Sequence, residues 1–146
     1  MNKMVERKKV VVGIIIDNDK VFLLRHNKCK GLLIFPSGKV EEGESVKEAL
    51  IREMKEELNI DVLEYEEFAY NFPQWYDRVD GIMHTQEDVF IITRYSGELI
   101  NNEPTKHLEL IKTYIDDIIS NPKDYTYSTY HYALMIREQQ EEKWSK

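Results

Sequence analysis

Glu53, Glu56 and Glu57 lie together in the run Arg52-Glu53-Met54-Lys55-Glu56-Glu57. Three carboxylates so close repel one another unless something positive holds them. Their surroundings make the repulsion worse. Ser45 and Glu48 have the spacing of a capping box, which predicts a helix starting at Ser45. Val46, Leu50, Met54 and Leu58 recur every fourth residue and mark its apolar stripe. Asn59 suits a left-handed C-terminal cap, so the helix runs for about 14 residues, or roughly 20 Å. At about 100° per residue, with Val46 at zero, Leu50 falls near +40° and Met54 near +80°. Glu53 falls near −20° and Glu57 near +20°, at the edge of the buried arc. Glu56 flanks them near −80° and Arg52 lies near −120°. Like charges at this spacing destabilise a helix, and partial burial raises the cost. A hard divalent cation reverses the sign, because carboxylate oxygens are the ligands that Mg²⁺, Mn²⁺ or Ca²⁺ take.

A glycine-bearing loop leads into this helix. The order Gly38, Glu44, Arg52-Glu53, apolar Met54, Glu56-Glu57 and apolar Ile60 resembles the Nudix box of the Nudix hydrolases, in particular the small MutT-like kind. The box covers 23 of the 146 residues. Two positions depart from the family pattern. Asn59 stands where the family usually has Gly, and Ser37 stands where many members have a second Gly after Pro36.

The resemblance implies an enzyme that uses water to cut one phosphoanhydride bond in a nucleoside diphosphate linked to another group. By the same resemblance, Glu53, Glu56 and Glu57 hold the metal, and the Gly38 carbonyl completes the shell. Mg²⁺ is the expected ion, with Mn²⁺ able to replace it. Arg52 sits four residues after Glu48 and four before Glu56, a spacing that orients carboxylates by hydrogen bonds. Glu44 is expected to brace the junction of loop and helix. Glu53 is a candidate general base. Glu56 and Arg52 share its catalytic surroundings. Family members often use an acid outside the box as base. Glu87, Glu98, Glu103 and Glu109 are available here, and Glu109 is preferred because it precedes the segment 110–117 that resembles the family's last strand.

Outside the box the chemistry is thinner. Arg25 and Lys39 are placed to meet phosphates. Trp75 and Tyr76, with Phe72, offer faces on which a nucleobase can stack. His26, His84, His107 and His131 show no metal-type spacing and read as structural. The tyrosines at 125, 127, 130 and 132 read as helix packing or an oligomer contact. Cys29 has no catalytic partner nearby in sequence.

The elements that must position these groups follow from pattern. Lys9–Asp17 reads as one apolar, β-branched strand rather than a secretory signal, because its apolar run is short and no cleavage site follows. The segment 17–19 is a turn into a hairpin partner at 20–25, and 32–35 is a short strand feeding the loop. Strands are expected at 60–70, 79–85, 88–95 and 108–114, with an aromatic loop at 71–77. A short helix at 115–120 and a terminal helix at 127–143 complete the chain. This order gives an α+β fold. The resemblance makes it a Nudix-type α/β/α sandwich: a mixed β-sheet between helices, with a central loop–helix catalytic motif. One domain spans 1–146, with 1–7 and 142–146 as flexible ends.

Composition narrows the function classes. The chain carries 27 acidic against 20 basic residues, a net charge of −7. A nucleic-acid binder normally has the opposite excess, so a nucleic-acid polymer is not the expected partner. A metal ion can still bring phosphates to an acidic protein. A single cysteine excludes an internal disulfide and fits a reducing cytoplasm. No stretch is long enough to span a membrane. The expected substrate is a small nucleotide, most directly a (d)NTP cut to nucleoside monophosphate and pyrophosphate, and the short stretch before the box favours small substrates. ADP-ribose, dinucleoside polyphosphates and nucleotide sugars stay open, as does a catalytically silent nucleotide sensor. The assembly is expected to be a monomer or homodimer.

Overall fold

A computed structural model describes residues 6–144. Most of the two expected flexible ends, residues 1–5 and 145–146, lies outside the described residues. The strands are β1 (Arg7–Ile14), β2 (Ile16–Asp17), β3 (Lys20–His26), β4 (Leu33–Ile34), β5 (Ser37–Lys39), β6 (Asp61–Arg78), β7 (Gly81–Ser96) and β8 (His107–Tyr114). The helices are α1 (Val46–Leu58), α2 (Ile115–Ser120) and α3 (Tyr127–Trp144).

β1 organises the layers. It pairs parallel with β7 and antiparallel with β5, and β6 closes the sheet beyond β7. A second set forms around β3, which pairs antiparallel with β2, β4 and β8. Side chains of a strand point alternately to its two faces. Val10, Val12 and Ile14 therefore join Ile115, Ile118 and Tyr132 in one core under α2 and α3. Val11 joins Leu50, Met54 and Leu58 in a second core under α1. Both faces of β1 are covered, which is why its sequence is a continuous apolar run. Helices on both sides of a mixed sheet confirm the α+β sandwich.

Helix α1 forms for the reasons its sequence shows. Ser45 caps its start, and both reciprocal bonds of the capping box are present. Asn59 adopts φ 63° at the C-cap, a left-handed conformation that Asn tolerates better than most residues. Asn59 thus does the work of the family's usual glycine.

Three sequence expectations need correction. The single strand 9–17 is two, β1 and β2, because the chain leaves the sheet of β1 at Ile15 and pairs next with β3. The hairpin turn is as expected, with Asn18 and Asp19 both at positive φ. The aromatic loop 71–77 is instead strand, part of the 18-residue β6. The two strands 79–85 and 88–95 are likewise one, the 16-residue β7. β6 and β7 pair from Asp61↔Ser96 to Arg78↔Gly81. Pro73 suggested a break, but β6 is an edge strand, where a missing N–H costs the ladder nothing. Register shifts around Ala69 and Phe72, with Asn71 at φ 52°, take up the irregularity. Among the described residues no helix is long and apolar enough to cross a membrane.

Replacing Ser45 by Ala removes the cap of the helix that carries the acids. The expected loss is about 1 kcal/mol, or roughly 2–4 °C in Tm for a domain of this size, measured by thermal melts followed by circular dichroism.

Candidate active site

Arg52 is the hub of the acidic helix. Its Nε and Nη2 donate to the two oxygens of Glu44 at 2.7 and 2.9 Å. Its Nη1 donates to Glu53 Oε1 at 2.7 Å and to Glu56 Oε2 at 3.1 Å, and Nη2 also reaches the Lys39 carbonyl at 3.0 Å. The spacing to Glu56 works as expected. The partner expected at Glu48 does not appear, because that side chain is spent on the Ser45 N–H of the capping box. Glu44 takes its place from the loop. It also accepts from the Glu41 N–H, and Arg52 first, then that backbone bond, holds its carboxyl down at about 2. Glu44 thus braces the loop against the helix.

Glu53 and Glu57 lie one turn apart on α1 and are both buried. Glu53 packs directly over Gly38. A Cβ at position 38 would fall 1.9 Å from the Glu53 carboxyl carbon, so only glycine admits the carboxylate there. Burial raises the Glu53 pKa against the pull of Arg52. Glu57 is 1 % exposed. Its Oε1 accepts from the Ser37 N–H at 2.7 Å, and its Oε2 lies 3.3 Å from His107 Nε2 and 3.6 Å from Lys106 Nζ. Burial is the main cause that pushes its carboxyl up to about 8. Glu56 is half exposed and faces Arg52.

The loop between β7 and β8 brings further ligands. Its backbone docks on the end of α1, where the Asn102 N–H donates to the Glu57 carbonyl and the Ile100 N–H to that of Leu58. This seats Glu103 and His107 beside Glu57, with one ligand atom from each residue within 4.8 Å of the others. Glu103 Oε1 and His107 Nδ1 are buried without a hydrogen-bond partner. Burial, then His26 and Lys106, depress His107 to about 3, so its ring is neutral, as a metal ligand's must be. A buried carboxylate, an orphaned carboxylate oxygen and a neutral imidazole form a donor set that fits a divalent cation. His107 therefore needs correction: it is part of an acidic cluster, although no local spacing announced it. Of the acids outside the box, Glu103 is the one brought to Glu57. Glu109, preferred from sequence, pairs with Arg25 at 2.7 Å on the half-exposed face of β8. Glu87 is enclosed by the hydroxyls of Tyr76, Thr85 and Tyr132.

Beside these groups opens a cavity of about 610 Å³. Gly38, Glu53, Lys39 and Tyr76 line it, together with Lys28, Arg78 and Lys106. Cys29, Ile34 and Met83 add apolar surface. Four cations around one cavity, in a chain of net charge −7, suit a polyanion with an apolar body. Arg25 does not line it, since its guanidinium is engaged by Glu109 and the Gly31 carbonyl. Nor does Trp75. Adjacent residues of a strand face opposite sides, so β6 turns Tyr76 toward the cavity and Trp75 away. Trp75 stacks instead on Tyr127 of α3, with ring centroids 5.8 Å apart. Phe72 packs against His131 and Tyr132.

Comparison with known proteins places these features. Residues 7–128 match the NUDIX domain. The RNA pyrophosphohydrolase of Campylobacter jejuni is 34 % identical over 95 residues, 62 % of this chain and 61 % of that protein. The chain thus spans about three fifths of that relative's length. The 8-oxo-dGTP diphosphatase of Proteus vulgaris is 32 % identical over 105 residues, 66 % of this chain and 87 % of that protein. Among solved structures, a MutT NUDIX hydrolase from Burkholderia pseudomallei superposes with a TM-score of 0.76 at 23 % identity, covering 90 % of this chain and 98 % of that one. That likeness supports the fold.

Two outcomes are expected. Gly38→Ala displaces the Glu53 carboxylate and lowers turnover by at least about 100-fold, the scale of misplacing a reacting group, while the far-ultraviolet circular dichroism stays folded. The second concerns pH. Glu57 rises from 4.5 to about 8 on folding, so between those values the folded chain holds a proton that the unfolded chain has released. Its contribution to the stability of the metal-free protein is therefore present at low pH and lost as pH rises toward 8. Compared with Glu57→Gln, the metal-free protein should lose Tm across that window. The rise in Tm on adding Mg²⁺ should grow over the same range, as the proton gives way to the cation.

Proposed function

The chain belongs to the NUDIX domain family, and on that premise we propose that it hydrolyses a phosphoanhydride bond of a nucleoside 5′-polyphosphate with a divalent cation, Mg²⁺ before Mn²⁺. Its simplest substrate is a (d)NTP, cut to nucleoside monophosphate and pyrophosphate. The observation that carries this reading is the pair Glu53 and Glu57, both buried one turn apart on α1, with Glu53 lining a cavity that four cations also line. Burying two acids side by side is costly, and a ligand that brings positive charge removes the cost.

Glu57, Glu103 and His107 would hold a cation, with Glu53, Glu56 and the Gly38 carbonyl as further donors by family likeness. When bound, the cation neutralises charge on the polyphosphate and makes water more acidic. The protein's own groups supply the rest. Glu53 is the general base: its raised pKa moves it toward neutral pH, where a base accepts a proton most effectively. Arg52 fixes the rotamer of Glu53 through its 2.7 Å bond and keeps the carboxylate over Gly38. Lys28, Lys39, Arg78 and Lys106 meet the phosphates. Tyr76 offers the aromatic surface for the base, and its hydroxyl is anchored on Glu87 at 2.6 Å.

The relatives are named for different substrates, RNA and 8-oxo-dGTP among them. The shared element is a polyphosphate on a nucleoside. The test is a panel of nucleoside triphosphates, ADP-ribose, dinucleoside polyphosphates and nucleotide sugars with Mg²⁺, read by released phosphate or pyrophosphate. Metal-dependent release is expected, and Glu53→Gln should lower kcat by about 10²–10⁴-fold, the usual contribution of a general base. Tight nucleotide binding with no release anywhere in the panel would make the protein a binding module instead.

A further inference from the structure

Glu103 and His107, the two donors that come from outside α1, stand at the two ends of one turn. The N–H groups of Lys106 and His107 both donate to the Glu103 carbonyl, at 3.0 and 2.9 Å. Pro104 follows Glu103, and a proline at the second position of a turn presets the φ that the turn needs. Residues four apart on such a turn lie on the same side, so Glu103 and His107 reach Glu57 together.

The turn's own bonds do not fix where it sits. Two asparagines just before it do. Asn102 ties the chain to the last turn of α1. Its N–H donates to the Glu57 carbonyl at 2.9 Å, and its Nδ2 donates to the carbonyls of Glu56 and Lys55 at 3.2 and 3.4 Å. Carbonyls at a helix end lack intrahelical donors and accept such bonds readily. Asn101 ties the chain to the turn. Its Oδ1 accepts from the Glu103 N–H at 3.3 Å, and its Nδ2 donates to the His107 carbonyl at 2.8 Å. An N–H only donates and a carbonyl only accepts, so these two partners fix the orientation of the amide. A continuous path of hydrogen bonds then runs from Glu57 through Asn102 and Asn101 to both outlying donors. It holds a strained arrangement in place, because Glu103 and His107 each keep a buried polar atom without a hydrogen bond, and a backbone left free would relax to relieve that cost.

Resting on the reading of Glu57, Glu103 and His107 as cation donors, we propose that Asn101 is the positioning residue of that cation site. Its amide presets Glu103 and His107 against Glu57 before any ion arrives. Asn101 does not line the cavity, so it acts on the ion through the two donors it holds. The ion then meets donors that are already ordered, and the cost of fixing them is met by folding rather than by binding.

The experiment measures Mn²⁺ binding to the metal-free full chain, without nucleotide, from the loss of the free-ion electron paramagnetic resonance signal. Outer partners of metal ligands are worth about 10–100-fold in affinity, so Asn101→Ala should raise Kd at least about tenfold, with a thermal melt to verify folding. Asn59→Gly is the control. It removes the bond from Asn59 Nδ2 to the Glu98 carbonyl at the other end of the same loop. Glycine keeps the left-handed cap, and Kd should stay within about twofold of wild type. The decisive comparison places Asn101→Ala in the Glu103→Gln/His107→Gln background. There the donors through which Asn101 acts are gone, and its removal should shift Kd by less than about twofold. An unchanged Kd for Asn101→Ala overturns the proposal, as does the same fold-change in both backgrounds, and either result leaves the hydrolase reading standing. If Asn101→Ala does not fold, Asn101→Ser takes its place: its hydroxyl still accepts from the Glu103 N–H but falls short of the His107 carbonyl, and the same results support or overturn the proposal. A wild-type chain that binds no Mn²⁺ overturns the cation reading itself, and the proposal with it.

Discussion

One guanidinium makes this site possible. Arg52 binds Glu44, Glu53 and Glu56 at once and reaches the Lys39 carbonyl as well. Its planar fork allows this, and a lysine ammonium could not span the same set. Through it, the loop before α1, the helix itself and the strand end that carries Gly38 become one rigid unit. Three mutually repelling carboxylates then sit in fixed directions. The strength of these bonds keeps Glu44 ionised to about pH 2 and raises Arg52 still higher above its ordinary range.

Two buried acids show how the same fold treats structure and chemistry differently. Glu87 is fully buried, yet Tyr76, Thr85 and Tyr132 each give it a hydroxyl hydrogen bond. Its charge is answered by the protein, and it ties β6, β7 and α3 together. Glu57 is just as buried, but one backbone N–H donates to it, its other oxygen faces His107 Nε2 and Lys106 Nζ at 3.3 and 3.6 Å, and the neighbouring Glu103 and His107 each keep a buried polar atom without a hydrogen bond. A cation from outside would complete that group. Buried polar groups are normally satisfied, so the unsatisfied cluster is where function is to be sought.

Backbone geometry sets which side chains share the site. Gly38 is required by the approach of Glu53 rather than by its own torsion. The alternation of β6 divides the neighbours Trp75 and Tyr76 between the α3 face and the cavity. The docking of the β7–β8 loop on the end of α1 supplies Glu103 and His107, while β8 itself carries Glu109 out to Arg25.

The acidic helix, its two caps, the hairpin turn at 17–19 and the apolar run of β1 were legible in the chain alone, because each rests on residues close together in sequence. The 3.6-residue period put Glu53 and Glu57 on one line, and the structure keeps them there. Length of β6 and β7 was not legible, since Pro73 and Asn71 break the local pattern and only pairing across the sheet restores it. Nor was the partnership of Glu57 with Glu103 and His107, separated by more than forty residues and joined only when the loop folds over the helix. Local propensity decides elements within a turn or two. Which acids share a cavity is decided by long-range packing, and that information exists only once the sheet has closed.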